Sequence, residues 1–142
     1  MKQVTAAVIE KDGLVLIAKR KKGKKLGEKW EFPGGKLEPG ETPRECLKRE
    51  LEEELEIDAD VGDFLCSVVY ENPDFSFELL AFRVPSFRGT PVLREHEEFR
   101  WVRREDAAAY DLADSDRAAI ERLGWNAGGR IENGPPRGSG PF

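Results

Sequence analysis

The stretch from Gly35 to Ile57, GKLEPGETPRECLKRELEEELEI, constrains the chain more than any other. Thr42 is a favoured N-cap, Pro43 suits the first helical position, and Glu45 three residues on completes a capping box. The pattern predicts a helix from Thr42 to about Leu55. Leu47, Leu51 and Leu55 recur every fourth residue and form an apolar stripe that must face a core. Glu50, Glu53 and Glu54 fall at i, i+3 and i+4, so their carboxylates share another face. Exposed like charges repel there by tenths of a kcal/mol per pair, about 0.2–0.5. A hard divalent cation, which prefers carboxylate oxygens, would turn that repulsion into attraction. Taken alone, an acidic helix reads first as a solvated surface.

The rest of the sequence narrows the choice. A chain of 142 residues, 39% apolar and 36% charged, reads as one soluble domain with a real core. No apolar run has transmembrane length, and the start, MKQVTAAVIEKDG, lacks the apolar core of a signal peptide. Cys46 and Cys66 fit reduced thiols better than a disulfide framework. The expected setting is therefore cytoplasmic, with no membrane partner. A net charge of −5 argues against binding a nucleic-acid polymer. His96, the single histidine, cannot build a His-rich metal site or an acyl-transfer triad. No G-x4-GK[ST] loop is present, which leaves a P-loop NTPase unsupported.

Along the chain, 5–9 and 14–18 read as buried strands joined at Asp12-Gly13, a favoured hairpin pair. A basic block, Lys19 to Lys25, follows; it is either a solvated loop or a contact for anionic phosphates. Trp30-Glu31-Phe32-Pro33-Gly34-Gly35-Lys36 breaks regular structure and lets backbone approach a ligand. After the helix, 64–70, 75–84 and 97–102 read as strands, with 85–91 as a loop. Residues 105–110 read as a short helix, and a last helix begins at Ser115 or Asp116 and reaches about Leu123. From Gly124 the chain turns Gly- and Pro-rich. The expected organisation is a domain over 1–124 and a mobile tail over 125–142. Strands on both sides of one amphipathic helix imply an α+β class.

Gly35, Glu41, Arg49-Glu50-Leu51, Glu53-Glu54 and Ile57 stand at the spacing of the Nudix box, G-x5-E-x7-R-E-U-x-E-E-x-G-U. The departure is Glu56, where the pattern has glycine. That glycine ends the helix in a left-handed conformation, so Glu there should cost roughly 1 kcal/mol. Together with WEFPGGK just before it, the segment resembles the MutT-like branch of the Nudix hydrolases. The resemblance implies an α/β/α sandwich around a mixed sheet over roughly residues 3–123. It implies Mg²⁺, or Mn²⁺, as cofactor and a nucleoside triphosphate as substrate, cut to monophosphate and pyrophosphate.

Carried over position by position, Glu53 and Glu54 would be metal ligands. Glu50 would be the general base or the residue orienting the water, with a share in the metal site. The Gly34 carbonyl would be a further ligand, and Arg49 and Glu41 would hold the carboxylates. Arg20 and Lys36 would touch phosphates. Glu95 would be a distal metal ligand, with Glu97 or Glu98 as substitutes and a plain loop glutamate as the alternative. Phe32 would wall the base pocket or serve as core, as Trp30 would. Asp116 would read the base edge, with Asp114 a weaker candidate; alternatively Asp116 merely caps the last helix. Oxidised purine triphosphates or CTP-like nucleotides are the implied substrates. A non-catalytic nucleotide-binding module, or hydrolysis of another nucleoside diphosphate derivative, is the competing function. Monomer and homodimer are equally compatible.

Overall fold

A computed structural model describes residues 1–24 and 26–125. The elements in order are β1 (Lys2–Lys11), β2 (Leu14–Arg20), β3 (Trp30–Glu31), α1 (Pro43–Leu55), β4 (Asp58–Asp60), β5 (Phe64–Glu71), β6 (Ser76–Val84), β7 (Ser86–Arg88), β8 (His96–Val102), α2 (Arg104–Ala107) and α3 (Asp114–Arg122). The β1–β2 turn falls at Asp12 and Gly13, both at positive φ, as a primed hairpin turn requires. The main sheet runs β3-β2-β1-β6-β5, with β8 also paired to β2. It is mixed because β1 and β6 are parallel, Val4 opposite Leu79 and Ala6 opposite Ala81, while its other pairings are antiparallel.

Alternation along the strands sends side chains to opposite faces. Ala7, Ile9, Leu16 and Leu80 meet Leu47, Leu51 and Leu55 of α1 on one face. Val4, Ala6, Ile17, Val68 and Leu79 pack with Ala119 and Ile120 of α3 on the other. The layers are those of the Nudix α/β/α sandwich.

Helix α1 starts as its sequence dictates. The Thr42 side chain accepts from the Glu45 N–H, and the Glu45 carboxylate accepts from the Thr42 N–H. Its C-cap is Glu56, left-handed at φ 58° and ψ 36°. Three expectations need correction. Residues 86–88, read as loop, form β7 against β4, with Ala59 opposite Phe87; strands this short carry too little alternation to be recognised. Helix α3 begins at Asp114, so Asp116 stands inside it, and Ala113 is the N-cap with no side-chain bond. Trp125, assigned to the tail, packs on the core. Lys25 and residues 126–142, which hold the rest of the basic block and of the tail, lie outside the described residues.

Candidate active site

The loop after β3 is stitched to β1. The Ala7 N–H donates to the Pro33 carbonyl at 2.8 Å and the Thr5 N–H to the Gly35 carbonyl at 2.8 Å. Such close approach explains the glycine pair. A Cβ on Gly34 would lie 2.0 Å from the Thr5 carbonyl oxygen, and one on Gly35 only 2.3 Å from Cδ of Glu50. Gly35 thus lets the Glu50 carboxylate lie directly beneath the loop. Buried Cys46 sits behind it, its thiol 3.4 Å from both Thr5 Oγ1 and the Lys36 carbonyl.

Arg49 is the hub of the acidic face. Its Nε and Nη2 donate to the two oxygens of Glu41 at 2.6 and 2.9 Å. Its Nη1 reaches Glu50 at 3.1 Å and Glu53 at 3.2 Å. The guanidinium fork first, then the Glu38 N–H, holds the Glu41 carboxyl down to about 2. These bonds gather the Glu41, Glu50 and Glu53 carboxylates around one guanidinium.

Glu54 behaves differently. Its Oε1 is buried without a partner among the described residues. Burial first, then the carboxylates of Glu50, Glu31 and Glu95, push its carboxyl up to about 9. A carboxyl held neutral by burial and like charge is what a cation would reverse. Among the described residues no three acidic, His or Cys side chains already converge as a coordination shell; Glu50 and Glu53 are drawn to the Arg49 guanidinium instead. The all-carboxylate donor set fits a hard divalent ion, with Glu50, Glu53, Glu54 and Glu95 the residues that could hold it.

Above this face opens a cavity of about 570 Å³. Its lining includes Arg20, Gly34, Gly35, Lys36, Glu54 and Glu95 together with Phe32, Ala113, Ser115 and Asp116. The expected phosphate contacts Arg20 and Lys36 and the expected base contacts Phe32 and Asp116 therefore share one cavity with the metal candidates Gly34, Glu54 and Glu95, whereas Glu50 and Glu53 are not in its lining. Among the three distal glutamates, Glu95 is the one lining the cavity. Glu97 pairs with Lys19 at 3.5 Å and Glu98 with Arg100 at 2.7 Å. Phe32 is both core and wall, 4% exposed. Trp30 is core, edge-on to Tyr110 at 5.2 Å.

Asp116 is buried, and its Oδ1 accepts the Phe32 N–H at 3.0 Å. Burial first, then the charge of Glu31, push its carboxyl up to about 8. In its protonated form such a carboxyl both donates and accepts, as an amide would. Asp114 is exposed, facing the Tyr70 hydroxyl at 3.5 Å.

Two lining residues had no role in the sequence reading. Glu31 lies 2.8 Å from His96 Nε2 and accepts from Arg20 Nη1 at 3.2 Å. His96 is 4% exposed. The signal for Glu31 was a carboxylate between two buried aromatics at a strand end. His96 gave no local signal, because its partner is 65 residues away.

The comparisons bear on the family and the fold. The family model for the NUDIX domain matches residues 1–123, and the chain belongs to that family. It is 42% identical over 121 residues to the CTP pyrophosphohydrolase of Escherichia coli (strain K12), covering 85% of this chain and 90% of the relative. It is 34% identical over 122 residues to the 8-oxo-dGTP diphosphatase of Haemophilus influenzae, again covering 85% and 90%. Among solved structures, the solution structure of the Escherichia coli ORF135 protein superposes with a TM-score of 0.80 at 39% identity, covering 92% of this chain and 94% of that one. The MutT protein from Methanosarcina mazei Go1 gives 0.79 at 28% identity, covering 87% and 92%. Nudix hydrolases generally use divalent metal ions, and the acidic face of α1 supplies oxygens suited to one.

Proposed function

We propose that the chain hydrolyses a nucleoside triphosphate to the monophosphate and pyrophosphate, with Mg²⁺ or Mn²⁺ at the acidic face of α1, and so clears modified nucleotides from the pool. The observation that carries this reading is the cavity itself. Its lining brings together Glu54, one of whose carboxylate oxygens is buried without a partner among the described residues, and the aromatic ring of Phe32 with the buried carboxyl of Asp116.

A divalent ion held there by Glu50, Glu53, Glu54 and Glu95, with the Gly34 carbonyl, would screen phosphate charge and acidify a bound water. Arg20 and Lys36, which line the same cavity, would supply positive charge to the polyphosphate. Glu50 would orient the attacking water or take its proton, a role that its position beneath Gly35 and its bond to Arg49 support. Phe32 and the apolar side chains of Val4, Phe77 and Leu79 enclose the base, and Asp116 reads its edge. A neutral Asp116 pairs with an edge that offers one donor and one acceptor, as cytosine and guanine derivatives do. The relatives named for CTP and 8-oxo-dGTP support both as substrate classes.

The test is incubation of the full chain with Mg²⁺ and a triphosphate panel including CTP, 5-substituted dCTP and 8-oxo-dGTP. Monophosphate and pyrophosphate should appear in equal amounts. Saturable nucleotide binding without turnover would favour the non-catalytic module instead.

A further inference from the structure

The departure of the box at Glu56 has a counterpart across the site. Glycine would adopt the left-handed cap freely, while an L side chain there costs roughly 1 kcal/mol. The Glu56 side chain is not idle: its Oε2 accepts from Arg94 Nη1 at 2.6 Å. The backbone beside Arg94 is bonded to the same helix end. The Val92 N–H donates to the Leu55 carbonyl at 2.9 Å, and the Arg94 N–H to the Glu54 carbonyl at 3.2 Å. These are carbonyls that a helix C-terminus leaves without intrahelical partners. Residues 92–94 are thus clipped onto the end of the metal-site helix, and the next residue, Glu95, enters the cavity that Glu54 lines. Downstream, Glu97 and Glu98 are held away by Lys19 and Arg100. The clip therefore decides which carboxylate faces Glu54.

We infer that Glu56 is a positioning residue: through Arg94 it holds the 92–95 segment so that Glu95 completes the carboxylate set facing a divalent ion. The inference rests on the reading of Glu95 as a metal ligand given under the proposed function. It separates two quantities that a plain helix cap would keep together. Removing the left-handed side chain should stabilise the helix end, whereas losing the ion pair should loosen Glu95 and weaken cation binding.

The experiment is a Mn²⁺ titration of the full chain without nucleotide, free Mn²⁺ being followed by electron paramagnetic resonance, paired with thermal melts in EDTA. The variants are Glu56→Gly, Glu56→Gln, Arg94→Ala, Glu95→Gln and the reversed pair Glu56→Arg/Arg94→Glu. Glu56→Gly should melt at or above the parent temperature yet bind Mn²⁺ about threefold to tenfold more weakly, the range of one exposed ion pair or a little more. Glu56→Gln and Arg94→Ala should weaken binding similarly, and the reversed pair should recover part of it. Glu95→Gln should weaken binding at least as much, with no further loss when Glu56→Gly is added. Parent-like Mn²⁺ affinity in Glu56→Gly, alongside weakened Glu95→Gln, would overturn the inference and leave the Glu95 assignment standing. Parent-like affinity in Glu95→Gln would overturn both. A melting temperature that falls in step with affinity would reduce Glu56 to a structural cap.

Discussion

Asp116 on α3 accepts the backbone N–H of Phe32 at 3.0 Å, across 84 residues of sequence. That bond ties the buried side chain to the loop after β3 through one carboxyl oxygen; the other, which takes a longer 3.4 Å bond from Ser115 Oγ, is the one a base would reach. Asp116→Ala should therefore flatten base preference, lowering kcat/KM for the preferred triphosphate more than for poor ones. Loss of a buried bond of about 1–3 kcal/mol corresponds to about 5- to 150-fold. Equal slowing of every triphosphate would leave Asp116 with only its Phe32 and Ser115 bonds.

The same residue predicts a pH dependence. The Asp116 carboxyl is pushed from 3.8 up to about 8 by burial and the Glu31 charge. The folded chain therefore holds this proton more tightly than the unfolded chain does. Its contribution to stability is fully present below pH ~4 and is lost as pH rises through about 8. Asp116→Asn has no such proton to lose. In EDTA, its melting temperature relative to the parent should rise steadily between pH 5 and 8. A difference that stays flat over that range would place Asp116 in a solvated, ionised state.

Glu53→Gln and Glu54→Gln should each lower turnover by orders of magnitude, roughly 10² or more as for loss of a group acting directly on the reaction, while the fold survives. Glu54→Gln should also melt no lower than the parent in EDTA at pH 7, because Glu54 is a buried carboxyl crowded by other carboxylates. Parent-like rates in both variants, or full turnover in EDTA, would remove the metal from the reaction.

Gly35→Ala tests the loop over Glu50. The added Cβ would fall 2.3 Å from Cδ of Glu50, so the carboxylate must move from beneath the loop. Turnover should drop by roughly 10²-fold, the lower part of the range for a displaced general base, with nucleotide binding largely kept. Retained turnover would show that Glu50 can act from another rotamer.

Helix α1, its capping box and the Glu41–Arg49–Glu50 hub were legible because their signals are local or of fixed spacing. Glu56 was readable as a left-handed cap for the same reason, but not its bond to Arg94, which joins segments 38 residues apart. Glu31 and His96 depend on β2 bringing β3 and β8 together, a pairing that no local pattern announces. Asp116 was legible as a candidate but not as a buried, proton-holding one, because its burial comes from packing against Phe32. Strand β7 has three residues and exists because β4 offers it an edge.

Trp125 shows where a local signal was present but overshadowed by the composition around it. Helix α3 ends with Leu123 at the C-cap and Gly124 at φ 78°. The Gly124 N–H donates to the Glu121 carbonyl and the Trp125 N–H to the Ile120 carbonyl. That is the Schellman pattern, which commonly sets an apolar residue back against the helix just after the glycine. Trp125 accordingly packs edge-on to Phe32 at 5.8 Å between ring centroids, with the Arg104 guanidinium 5.5 Å from its own ring centre. The aromatic contact is worth about 0.5–1.5 kcal/mol beyond burial, and it supports the wall that a base would meet. Ending the chain after Trp125 should leave melting temperature and turnover near the parent values. Ending it after Gly124, or Trp125→Ala, should lower the melting temperature and raise KM by about 2- to 12-fold, with kcat little changed because the ring contacts of Trp125 are with Phe32 and Arg104 rather than with the acidic face of α1. Trp125→Phe should recover most of the loss. If removing Trp125 leaves KM unchanged, Phe32 is held by the core alone, and the functional unit ends at Gly124.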